Sequence, residues 1–134
     1  MKNISKILIT VLSIILFTSS SQAVNKILSI GDNDSKVTVK VFSSLTCPHC
    51  AHFHENIFYN LKKEFISQNK VKFEHHSFPL DLAALNAEII VRCHIDNEKK
   101  FQLLSEIYKK QNVWAVGSDI NVINESIKKI GLNT

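Results

Sequence analysis

Cys47 and Cys50 stand three positions apart, with Pro48 and His49 between them, a spacing suited to thiol–disulfide exchange. That reaction requires a thiolate that attacks, a sulfur that leaves readily and a second thiol near enough to release the mixed disulfide. A dithiol at a helix start supplies all three. Cys47 at the N-cap meets unpaired N–H groups and the positive end of the helix dipole, and both favour its anion. Cys50, one turn deeper and partly buried, can strike back once Cys47 is joined to another sulfur. Pro48 suits the first helical turn, where its missing N–H costs nothing. His49 adds a cationic or hydrogen-bonding group beside Cys47. Surroundings of this kind move a cysteine from a pKa of about 8.5 to roughly 3.5–7.5. Each pH unit of lowering favours the reduced form at neutral pH by about 1.4 kcal/mol, making the couple about 30 mV more oxidising. The expected behaviour is that of an oxidant of other proteins rather than a reductant.

The same residues admit other readings. Cys47 and Cys50 as an inert structural bridge would not call for a strand directly before them and an amphipathic helix directly after. Metal binding would recruit His52 and His54, but one Cys pair is half a tetrahedral site, and on a helix His52 points about 200° away from Cys50. Haem attachment needs His directly after the second Cys, where the chain has Ala51. No metal and no cofactor is therefore expected. His54 falls within the apolar face of the helix and reads as a satisfied core residue. His75 and His76 close a strand, so at least one is expected to face solvent. His94 has no partner that spacing suggests.

The elements that must position this dithiol are legible as periodicity. Ile27 to Ile30 is a short candidate strand, ended by the turn-forming cluster Gly31 to Ser35. Val37 to Ser43 is a stronger one, with Val37, Val39 and Val41 in alternation. After the dithiol, Cys50, Phe53, Ile57, Leu61 and Phe65 recur at helical steps and define one apolar face. Val71 to Phe78 is the next strand, closed by Pro79. Strand, helix, strand predicts a βαβ unit with two parallel neighbours. Leu82, Leu85, Ile89 and Cys93 then share a face of a helix beginning near Asp81, a plausible N-cap. Phe101, Leu104 and Tyr108 mark a second helix. Ile120, Ile123, Ile127 and Ile130 mark a third, with Ser118 or Asp119 as cap and Gly131 as stop.

The 134 residues suffice for one domain, and 45% apolar with 21% charged is an ordinary globular composition. Met1 to Lys6 is basic, Ile7 to Phe17 almost purely apolar, and Thr18 to Ala23 small and polar. This is the pattern of a secretory signal peptide, and Ser21 and Ala23 place cleavage after Ala23. The apolar run is shorter than the roughly 20 residues that span a bilayer. Without Lys2 and Lys6 the formal charge falls from +4 to 14 basic against 12 acidic residues, or +2, and no basic run remains to attract nucleic acid. Export into an oxidising compartment also permits disulfides.

Together these residues resemble the DsbA family of bacterial periplasmic thiol–disulfide oxidoreductases. The likeness rests on the signal peptide, the Val-rich strand, the run Ser43 to Cys50 ending Cys-Pro-His-Cys, the helix opening Ala51-His52-Phe53-His54, then Phe78-Pro79-Leu80-Asp81 and a series of helices. It implies an α/β thioredoxin-like fold with an inserted helical domain, divided here as 1–23 signal peptide, 24–80 thioredoxin-like part and 81–134 helical insert. It also implies a periplasmic location, unfolded exported proteins as substrates, and reoxidation by a quinone-linked membrane oxidase of the DsbB type. On that pattern Cys47 is the nucleophile, Cys50 the resolving thiol, and His49 the residue that tunes Cys47.

The resemblance also implies parts without a counterpart in this sequence. Family members carry a cis-proline loop, two further strands and a final helix after the insert, whereas the only prolines here are Pro48 and Pro79. The chain is therefore expected to be C-terminally truncated, with the Val37 to Ser43 strand, the central one, open on one side. A buried glutamate common six residues before the nucleophile is replaced by Val41. Cys93, with no partner in reach, is expected to be a buried small hydrophobe. Two functions of different class follow. One is a dithiol oxidase, alone or completed by a second polypeptide. The other is a non-catalytic remnant or a module that binds through its open edge, with metal carriage as a lesser reading.

Overall fold

A computed structural model describes residues 27–94 and 96–133. The segment read as a signal peptide lies outside them. Three strands form one sheet: β1, Leu28–Ile30; β2, Val37–Ser43; and β3, Val71–Ser77, in the order β1-β3-β2. β2 and β3 are parallel, with Val39 opposite Phe73 and Val41 opposite His75. Two parallel strands cannot be joined by a tight turn, so the chain crosses between them through the helix that follows the dithiol. β1 lies antiparallel on the other flank of β3, with Leu28 opposite His75. β3 is the middle one of the three described strands. Among the described residues β2 has a partner on one side only, and its Val37 and Phe42 are 52% and 65% exposed.

The crossover helix α1 spans 48–66 and is not uniformly wound. Ordinary turns at Pro48–His52 and Tyr59–Leu61 alternate with wider π turns at Phe53–Phe58 and Lys62–Ile66. Its buried line is Ala51, His54, Phe58 and Ile66, whereas Ile57 and Phe65 are exposed. The expected face of Cys50, Phe53, Ile57, Leu61 and Phe65 is therefore rotated by one residue. Two adjacent rows of this helix are apolar, and periodicity alone does not choose between them. Packing chooses: the Phe58 ring sits 4.5 Å from that of Phe73 on β3 and 5.7 Å from that of Phe101. Phe73 and Phe101 are themselves 6.1 Å apart. These three rings join sheet, crossover helix and insert into one core.

Four helices follow: α2, Leu82–Arg92; α3, Asn97–Lys109; α4, Gln111–Trp114; and α5, Ile120–Leu132. Asp81, Asp96 and Asp119 cap α2, α3 and α5 by accepting from the N–H groups of Ala84, Glu98 and Asn121. α3 buries Phe101, Leu104 and Tyr108, and α5 buries Ile123, Ile127 and Ile130, as their spacing predicts. α2 departs from expectation. It packs through Ala84, Ala87, Glu88 and Val91, and turns Leu82, Leu85 and Ile89 outward. Small residues let α2 approach its neighbours closely, and that contact outweighs the larger stripe. Cys93, at the end of the same stripe, is consequently exposed rather than buried, its thiol donating to the Ile89 carbonyl at 3.3 Å. Gly131 does not stop α5 but lies within it, where a Cβ would come 3.0 Å from Ile90 Cγ2.

Gly31 turns the chain out of β1 at a φ of +105°, and a Cβ there would lie 2.6 Å from the Val71 carbonyl oxygen. Strain at such positions is of order 1–3 kcal/mol. Gly31→Ala should lower the stability of the folded chain by at least about 2 kcal/mol, read as a lower urea midpoint with an unchanged slope.

Candidate active site

β2 delivers the chain to Ser43 and Ser44, both buried, and the turn that follows places Cys47 at the N-cap of α1 with φ −80° and ψ 118°. Pro48 occupies the first helical position. The Cys47 carbonyl accepts from the N–H groups of Cys50 and Ala51, both at 3.1 Å, which closes the first turn. Both thiols are free and half-buried. The sulfur of Cys47 makes no full capping bond, but the Cys50 thiol and the backbone N–H groups of Cys50 and His49 face it. Burial works against the Cys47 anion, and these donors outweigh it, holding the thiol below its ordinary value. The effect on Cys50 is opposite. Burial pushes it up and outweighs the lowering by the Ser44 N–H, and the hydrogen bond and charge of Cys47 add to the rise. One sulfur is thus prepared as an anion and the other is held as a thiol.

His49 is exposed, and what it directs at the Cys47 sulfur is its backbone N–H. Pro48, also exposed, shapes the helix start. The structure therefore brings Cys47, Pro48, His49 and Cys50 together in a single helical turn. His52 is exposed, whereas His54 is buried, with Nε2 2.8 Å from Ser105 Oγ and its ring stacked on Phe58. His54 is thus the satisfied core residue expected. His75, by contrast, is fully buried, and His76 is half-buried against the ring of Phe42 at 4.7 Å. Of this pair, expected to have at least one member toward solvent, His76 is the partly exposed one, and His75 is buried because it shares its sheet face with Val71 and Phe73.

Several residues of this site carried no sequence signal. Gln111 Nε2 donates to the carbonyls of Leu45 at 2.7 Å and Cys47 at 3.1 Å, so α4 grips the turn from outside the sheet. Thr46 donates to Asp81 at 2.6 Å, tying the same turn to the start of α2. Tyr108 donates to Ser43 at 3.1 Å, and Ser43 Oγ is 3.2 Å from His75 Nδ1. Pairings between residues 30 to 66 positions apart leave no local pattern. The alternation of Val71, Phe73 and His75 was the one available clue that a polar side chain is buried in β3.

Comparison with known proteins agrees with this geometry. The sequence model of the family described as Thioredoxin matches residues 23–131. The chain belongs to the thioredoxin family. Within it, the chain is DsbA-like. The crystal structure of Wolbachia pipientis alpha-DsbA1 superposes with a TM-score of 0.67 at 25% identity, over 82% of this chain and 64% of that one. Chlamydia trachomatis DsbA shares the fold with a TM-score of 0.60 at 17% identity, over 78% and 65%. A Rickettsia bellii protein that bears the name of a protein-disulfide oxidoreductase is 33% identical over 102 residues, 76% of this chain and 39% of that protein. The chain thus spans about two fifths of that relative's length. The thioredoxin-like α/β fold with a helical insertion is established by these matches together with the mixed sheet and the helices α2 to α5.

In this DsbA-like chain His54 links the site to the helical layer and responds to acid. Burial, and next the charges of His75 and Lys62, push its pKa down from 6.5 to about 4. A histidine with a lowered folded value contributes stability that is fully present above about 6.5 and is lost as pH falls toward 4. Between pH 7 and 4.5 the reduced protein should lose about 2–3 kcal/mol through this group. His54→Gln, which keeps a partner for Ser105, should show that much less pH dependence in paired urea titrations.

Proposed function

We propose that the chain is an exported thiol–disulfide oxidoreductase of the DsbA type, which donates the Cys47–Cys50 disulfide to the thiols of other exported proteins. The observation that carries this reading is the asymmetry of the two sulfurs: donors face Cys47 and favour its anion, while Cys50 is held protonated. In the reaction a substrate thiolate attacks the Cys47 sulfur. The Cys47–Cys50 bond breaks, and its electron pair passes to Cys50, which takes up a proton. A second substrate thiolate then attacks its partner sulfur in the mixed disulfide, and Cys47 leaves as the stabilised anion. The substrate loses two electrons, and the dithiol gains them. Because the reduced form is the stabilised one, the equilibrium favours donation.

In this mechanism Cys47 is the nucleophile of the reverse step and the leaving group of the forward one, Cys50 is the resolving thiol, Pro48 sets the helix start and His49 contributes its N–H. The basic-then-apolar N-terminal segment supports export, and resemblance to DsbA proteins supports reoxidation by a quinone-linked membrane oxidase. A second reading, a module that binds partners through strand addition, is favoured by the flank of β2 that has no strand beside it among the described residues, with Val37 and Phe42 exposed.

Oxidation of a dithiol peptide by the preoxidised protein separates the two. The native chain should turn the peptide over, and Cys47→Ser should fall to the uncatalysed rate. Equal rates for both would leave strand addition as the standing reading. Alkylation as a function of pH should show Cys47 reacting as an anion below the pH at which free cysteine does, with Cys50 reacting above it.

A further inference from the structure

Beneath the dithiol turn runs a line of buried polar side chains that the exchange reaction above does not use. Tyr108 on α3 donates to Ser43 Oγ at 3.1 Å, Ser43 Oγ is 3.2 Å from His75 Nδ1, and His75 Nε2 is 3.0 Å from Glu88 Oε2 on α2. Arg92 Nε donates to the other Glu88 oxygen at 2.8 Å. His75, Glu88, Tyr108 and Ser43 are 2%, 4%, 2% and 6% exposed, so the line is shielded from water along its length. Burial opposes the Glu88 charge, but the hydrogen bond and charge of His75, with Arg92, outweigh it and hold Glu88 ionised. The carboxylate accepts on both oxygens, so His75 Nε2 carries its proton toward Glu88, and Nδ1 faces Ser43. A buried polar pair built around an ionised carboxylate gives little net stability compared with apolar side chains of the same size. Its place in the fold is therefore better explained by what it holds.

What it holds is Ser43, the last residue of β2 and the one before Ser44. Ser44 meets both cysteines. Its carbonyl accepts the Cys47 N–H at 3.2 Å, and its own N–H faces the Cys50 sulfur. Its hydroxyl also lies 3.1 Å from Thr46 Oγ1 and accepts the Leu80 N–H at 3.3 Å. Two layers thus meet at one peptide unit: a rigid polar line from α2, α3 and β3 on one side, and the dithiol on the other.

We propose that His75 and Glu88 are positioning residues for the dithiol: by fixing Ser43 they keep the Ser44 N–H on the Cys50 sulfur and so set how readily Cys50 leaves when the disulfide is spent. The proposal rests on the oxidoreductase reading for its consequence, but its physical content is the acidity of one thiol. When the substrate thiolate attacks Cys47 and the S–S bond breaks, the electron pair arrives at Cys50. A donor already in place stabilises that anion before water supplies its proton. Leaving is faster for the more acidic thiol.

The test reads Cys50 directly, in a Cys47→Ser/Cys93→Ser background where it is the only thiol, by rate of alkylation against pH. Ser43→Ala cuts the line from the strand without changing any charge, and should make Cys50 about tenfold less acidic, the size of one hydrogen bond to an anion. Ser43→Thr keeps the hydroxyl and should restore the native titration. The double replacement His75→Leu/Glu88→Leu removes the carboxylate together with the imidazole bonded to it, leaving Arg92 at the partly exposed end of the line, and it should reproduce Ser43→Ala. In the two-cysteine protein the same variants should oxidise the dithiol peptide about threefold more slowly. Unchanged Cys50 titration in both Ser43→Ala and the double variant, with only a lower unfolding midpoint, would make the line structural and overturn the proposal. An inactive native protein whose Cys50 titration nonetheless shifts in these variants would overturn the oxidoreductase reading and leave the positioning role standing.

Discussion

A sulfur drawn toward its anion by the N–H groups at a helix start is the interaction on which the rest of this molecule depends. The first N–H groups of a helix lack ordinary helical partners, and here those of His49 and Cys50, the latter shared with the Cys47 carbonyl, face Cys47 together with the Cys50 thiol. The gain is available only if the turn before the helix is held still. The chain does so from three directions: Gln111 grips the carbonyls of Leu45 and Cys47, Asp81 receives Thr46, and Ser44 receives the Cys47 N–H. Two of these three supports come from beyond β3. The helical layer is therefore part of the site and not an appendage to it.

Holding a turn in this way requires that the sheet and the helices do not slide against each other. The triangle of Phe58, Phe73 and Phe101 supplies that resistance, because each ring comes from a different layer and every pair is in contact. The π turns of α1 belong to the same constraint. They let a helix with two apolar rows keep Ala51, His54, Phe58 and Ile66 on a single line over its whole length. Widened turns of this sort recur near functional positions in proteins, and here one begins directly below the dithiol.

Local chemistry was the legible part of the sequence. The dithiol, the proline at the first helical position and the parallel βαβ unit follow from spacing, and the structure places them within a residue of where the spacing does. Asp81 and Asp119 as caps were readable for the same reason, since capping acts over two or three residues. What spacing did not reveal is which of two acceptable faces a helix buries. For α1 the choice was made by Phe73 and Phe101, and for α2 by the small volumes of Ala84 and Ala87, which favour close approach over the transfer of larger side chains from water. Gly131 illustrates the same limit: a glycine near a helix end reads as a stop, yet its use here is the space it leaves for Ile90. Gln111, Glu88 and Tyr108 were silent because a long-range hydrogen bond has no periodicity.

The two ends of β2 show how one strand serves opposite needs. Its last residue, Ser43, is buried and bonded on every side, and it transmits that rigidity to Ser44 and the sulfurs beyond. Its flank away from β3 has no strand beside it among the described residues, and Val37 and Phe42 are largely exposed there. Rigidity is therefore supplied to the dithiol turn from the β3 side, through His75, and it reaches the sulfurs by way of the one peptide unit that joins Ser43 to Ser44.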